Sequence, residues 1–132
     1  MLFMYDKELI IEILKNITWS LEQIIKRFKA IKSSDDFLKD DIGLERLDSI
    51  CMQLINIGEA LKQVDKLTDE KLLVNYSGVD WKKAKGMRDI ITHHYFDIDA
   101  ETVHVVCSEH IPDMKKVIKK ILDDLENEEK VD

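Results

Sequence analysis

DKELIIEILKNITWSLEQIIKRFKAI, residues 6–31, decides the fold. Apolar side chains recur at Ile10, Ile13, Leu14, Ile17, Leu21, Ile24, Ile25, Phe28 and Ile31. A step of three or four residues gathers them into one stripe on an α-helix, and lysines and glutamates fill the other face. The stripe runs for about seven turns. Asp6 is placed to cap this helix, which is expected to begin near Lys7.

The same period returns along the chain. SSDDFLKDD, residues 33–41, breaks the first stripe and reads as a connection with its own short turn. A second helix is expected from about Asp41 to Val64, with Leu47, Ile50, Cys51, Leu54, Ile57 and Leu61 inward. Gly58 lies inside it. A glycine there costs about 1 kcal/mol against alanine, and a close helix crossing is the simplest compensation. Lys66 to Tyr76 can hold a short helix capped by Thr68. Asp80 can cap a third main helix from Trp81 to Tyr95, with Ala84, Met87, Ile90 and Ile91 inward. FDID is read as a non-helical connection, and Asp99 caps the last helix. The last stripe holds Val103, Val106, Cys107, His110, Met114, Val117, Ile118, Ile121 and Leu125. Pro112 has no N–H to give, so a kink is expected near Ser108. From about residue 124 the tail is acidic and is expected to fray. With one proline, four glycines and no strand-like alternation, the chain is predicted all-α. It should form an up-and-down bundle of four main helices plus short ones, in one domain spanning residues 1–132.

Composition narrows the function. The net charge of −7 disfavours a general nucleic-acid coat protein, though not an enzyme that touches RNA at one local patch. Cys51 and Cys107 form no CxxC pair and read as free, buried thiols in a reducing cytoplasm. The N-terminus lacks a signal-peptide pattern, and no apolar run nears the roughly 20 residues that span a membrane. No metal or cofactor is expected. His104, Cys107 and His110 step by three and drift around a helix, HExxH and CxxC are absent, and there is no Gly-rich phosphate loop.

One segment stands apart. GMRDIITHHYFDID, residues 86–99, brings Arg88, Asp89, His93, His94 and Tyr95 together. Arg88 is one of only three arginines, and WKKAKGMR adds Lys82, Lys83 and Lys85 as a local basic patch fit for an RNA backbone. A guanidinium fork suits phosphate, and histidine moves protons near neutral pH. These are parts for cleaving RNA through its own 2′-hydroxyl. The plain alternative is a solvated helix face, with Arg88 paired to an acid and Tyr95 packing at a helix end. On a straight helix Arg88 and Tyr95 share a face, while Arg88 and His93 stand roughly 140° apart. A joint site then needs an unwound helix end or a second copy of the chain.

R-x4-H-x-Y, here Arg88, His93 and Tyr95, resembles the motif of HepT-like (DUF86) toxins of the HEPN superfamily. The likeness extends from about residue 44 to 125, through INIGEA (residues 55–60), the upstream Trp81 and the late IPDMKKVI. It implies a homodimeric helical bundle whose two motifs line one cleft, with metal-independent ribonuclease activity. Arg88 would then hold the phosphate, His93 move the proton, and Asp89 orient, with His94 as the alternative histidine. It further implies a type VII-like toxin–antitoxin pair. In such a pair an MntA-type minimal nucleotidyltransferase silences the toxin by adenylylating Tyr95. A non-catalytic helical subunit that binds substrate or nucleotide for such a partner is the competing reading.

Overall fold

The computed structural model describes residues 4–131. Helix α1 spans Met4–Phe28, α2 Asp35–Leu38, α3 Asp41–Thr68, α4 Trp81–His93, α5 Ala100–Val105 and α6 Ile111–Val131. No strand occurs among the described residues. α3 packs on α1 along one side and on α4 along the other, and α6 packs on α1. A single cluster of buried apolar side chains runs from Ile10 on α1 to Leu125 on α6. The expected all-α bundle of four main helices is therefore the observed one, with the fourth assembled from α5 and α6.

Local chemistry sets the ends. Asp40 caps α3 by accepting from the Gly43 N–H at 2.7 Å. Gly43 leaves no room for a side chain, since a Cβ there would collide with the Asp36 carbonyl oxygen. Asp80 caps α4 and Asp99 caps α5, as their positions before each stripe predict. Asp6, by contrast, lies inside the first turn of α1. There its charge favours the helix N-terminus without serving as the cap.

Four other expectations are corrected. α3 continues past Val64 to Thr68, whose hydroxyl donates back to the Val64 carbonyl instead of capping a new helix. The helix stops where Asp69 and Glu70 take left-handed φ of 52° and 59°. The following segment holds only a 3₁₀ turn, Leu73–Asn75. The break expected near Ser108 is present as a π turn, Val106–His110, just upstream of Pro112. The wider turn supplies the slack that the missing proline N–H demands. It also brings Ile111, not His110, into the core, leaving His110 exposed. Lastly, α6 stays helical to Val131, with Leu125 buried, so the acidic tail does not leave the bundle at residue 124.

Candidate active site

Gly58 and Arg88 fix the geometry. A Cβ on Gly58 would stand 2.7 Å from Arg88 Cβ and 3.4 Å from the carbonyl oxygens of Ala84 and Lys85. α4 thus rests on bare α3 backbone at the level of Arg88, which is the close crossing that the mid-helix glycine predicts. The two helices run antiparallel: Lys85 meets Asp65, Arg88 meets Glu59, and Tyr95 meets Asp48.

Four charges surround the crossing. Arg88 Nε is shut off from water and faces the Glu59 carboxylate, in an ion pair out of hydrogen-bond alignment. Arg88 Nη1 donates to Asp89 Oδ1 at 3.0 Å. Lys62, one turn beyond Glu59 on α3, reaches both Asp89 oxygens at 3.2 and 3.3 Å. The Arg88 hydrogen bond, and then Lys62, hold the Asp89 carboxyl below the usual carboxylate range. The set is two cations and two carboxylates, and the Arg88 side chain keeps 31% of its surface in solvent.

The rest of the motif lies at the far end of α4. His93 is the last helical residue and is exposed. The backbone leaves the helix at His94, whose N–H donates to the Ile90 carbonyl at 2.9 Å. Tyr95 opens a 3₁₀ turn, Tyr95–Asp97, so FDID is partly helical and α4 ends two residues before Tyr95. The Tyr95 hydroxyl donates to the Asp48 carboxylate on α3. Asp48 and Glu59 stand on one face of α3, about 16 Å apart along its axis. Arg88 and Tyr95 are therefore aligned by α3 and not by one straight helix through both.

Of the basic patch, Lys82 and Lys83 are exposed on the first turn of α4. Lys85 instead pairs with Asp65, which is 8% exposed, so its charge is already committed within the fold. Of the two isoleucines expected inward, Ile91 lies in the core while Ile90 is 55% exposed. No group of three or more His, Cys, Asp or Glu placed to hold a metal ion occurs among the described residues. Nor is any helix among them long and apolar enough to cross a membrane.

A family model described as "Ribonuclease HepT-like" matches residues 17–121, which contain the whole constellation. The chain belongs to this HepT-like family. The HepT-like chain is 37% identical over 109 residues to a protein of Caldanaerobacter subterraneus subsp. tengcongensis named provisionally as an RNase, covering 83% of this chain and 90% of that one. It is 40% identical over 76 residues to a provisionally named RNase of Methanocaldococcus jannaschii, covering 58% of this chain and 60% of that one. A third relative, also from Methanocaldococcus jannaschii, is named for γ-glutamylcyclotransferase and provisional RNase functions together. It is 31% identical over 113 residues, 86% of this chain and 47% of its own. No solved structure matches the chain.

Three residues outside the R-x4-H-x-Y motif, Asp48, Glu59 and Lys62, are brought to it by this HepT-like structure. For Glu59 a signal existed, because it follows Gly58 directly within INIGEA. Asp48 and Lys62 lie 47 and 27 residues from their partners, a separation that only the packing of α4 on α3 closes.

Proposed function

We propose that this protein is a metal-independent endoribonuclease, the toxin of a HEPN/nucleotidyltransferase pair acting in the cytoplasm. The observation that carries the reading is the Gly58 crossing, which seats Arg88 at a partly open position within a chain of the HepT-like family. In the proposed reaction the RNA 2′-hydroxyl loses its proton and attacks the adjacent phosphorus, the P–O5′ bond breaks, and the products are a 2′,3′-cyclic phosphate and a protonated 5′-hydroxyl. His93 accepts or returns the proton, with Asp89 and His94 as supporting groups. Arg88 carries the charge that develops on the phosphoryl oxygens. Lys82 and Lys83 meet the flanking backbone.

The active form is a homodimer in which two motifs face one cleft. Ile90 and Phe96 flank His93 and Tyr95 and are 55% and 103% exposed, a surface that a second copy would cover. The cognate partner is a minimal nucleotidyltransferase that adenylylates Tyr95. The tyrosine oxygen attacks the α-phosphorus of ATP, loses its proton and releases pyrophosphate. The ester brings negative charge beside the cationic site and removes the proton that Tyr95 gives to Asp48.

A non-catalytic binding subunit is the competing reading. In its favour, Glu59 and Asp89 already engage Arg88. Expression without the partner separates the two. Growth arrest with RNA loss, relieved by His93→Ala, is the expected result. Equal growth of both strains with intact RNA would remove the nuclease.

A further inference from the structure

We propose that Glu59 is a positioning residue for RNA cleavage, acting through Arg88; this rests on the ribonuclease reading above. An arginine binds phosphate in two-point fashion only when its plane is fixed, because the long side chain otherwise samples many rotamers. Here the stem is fixed at its base, where Arg88 Cβ presses on Gly58. The adjacent residue of α3, Glu59, then meets the other end of the same side chain at Nε. That nitrogen is closed to water, and among the described residues Glu59 alone faces it. The Nε edge is therefore unavailable to a substrate, which leaves the Nη end of the fork for phosphate.

Asp89 completes the clamp from α4. It receives Nη1 of Arg88 at 3.0 Å and is itself tied to Lys62 on α3. Glu59 and Lys62 are three residues apart on α3, so two consecutive turns of one helix set the guanidinium plane from two sides. The clamp balances its own charge. Glu59 thus orients Arg88 without leaving an unpaired carboxylate next to the phosphate. Removing Glu59 frees the guanidinium to turn and leaves Nε without its counter-charge. A misplacement of about 1 Å at a catalytic group can lower a rate by about 100-fold.

The test uses the full-length protein and a fluorescently labelled single-stranded RNA of mixed sequence. Glu59→Ala should lower kcat by about 10- to 100-fold while KM changes little. Glu59→Gln keeps the length and an acceptor oxygen, and should recover part of the loss. In an Arg88→Ala background, adding Glu59→Ala should cost nothing further, because its effect passes through the arginine. Thermal melting of each variant should stay near wild type, since Glu59 is 53% exposed. Should Arg88→Ala cleave as wild type does, the ribonuclease reading itself fails. Arg88→Ala inactive with both Glu59 variants at or above wild-type kcat would overturn the positioning role alone. So would equal Glu59→Ala losses with and without Arg88.

Discussion

Gly58→Ala tests the helix crossing on which the site is built. The added methyl carbon would meet Arg88 Cβ at 2.7 Å, against a favourable carbon–carbon separation of about 3.5–4.0 Å. The atom it meets is a Cβ, which no rotamer change can move aside. α4 itself must retreat by about 1 Å. Two effects compete in stability. Alanine gains about 1 kcal/mol of helix propensity over glycine, while an overpacked contact typically costs 1–3 kcal/mol, so a net loss of about 1 kcal/mol is expected. For a chain of 132 residues that is roughly 4 °C in Tm. Arg88 rides on the displaced helix, and a shift of about 1 Å lowers a rate by about 100-fold. The variant should therefore stay folded yet cleave labelled RNA about 100 times more slowly. Circular dichroism melting and single-turnover cleavage measure the two quantities side by side. A Tm raised by the helix-propensity gain, with wild-type cleavage, would mean that α3 and α4 are not in contact at Gly58.

Two further outcomes are expected. Tyr95→Phe should change stability by about 1 kcal/mol or less, since it removes one exposed hydrogen bond to Asp48, but should abolish AMP incorporation on co-expression with the partner. Intact-mass spectrometry reads this, and AMP retained on Tyr95→Phe would place the modification elsewhere. Tyr76 donates to Asp124 at 2.7 Å, and burial, followed by the Asp124 carboxylate, pushes its hydroxyl up to about 12. A raised folded-state value means that the neutral form is favoured by folding. Its contribution is full below the unfolded value of about 10 and is lost as pH climbs towards about 12. Urea melts across that window should show a shallower alkaline decline in Tyr76→Phe than in wild type; identical declines would rule out the coupling.

Much of the fold is legible because the helices are amphipathic and capped. The stripe from Ile10 to Ile31 and the caps at Asp80 and Asp99 are local signals, and local physics suffices for them. The errors fall where two local solutions compete. Thr68 is a plausible cap in sequence, but its hydroxyl can equally bond back along a helix, and the left-handed pair Asp69–Glu70 settles the end instead. At Pro112 the break itself is foreseeable, but the period alone does not show that it is a π turn, and that one residue of phase decides whether Ile111 or His110 enters the core.

The candidate site divides the same way. Arg88, His93 and Tyr95 are conspicuous as a motif because their spacing is short. Lys62 and Asp48 are polar residues on an ordinary amphipathic helix, indistinguishable from solvated positions until α4 is laid against them, and Glu59 is marked only by its place beside Gly58. Lys85 shows the converse. It looks like part of a basic patch in sequence, and tertiary packing commits it to Asp65.

The most direct test is RNA cleavage by the purified full-length chain in excess EDTA, comparing wild type with Arg88→Ala and His93→Ala. Wild type should cleave, and each variant should be slower by about 100-fold or more, the usual worth of a positioned proton-transfer or charge-stabilising group. RNA left intact by wild type, or cut at equal rates by all three proteins, would contradict a nuclease centred on these two side chains.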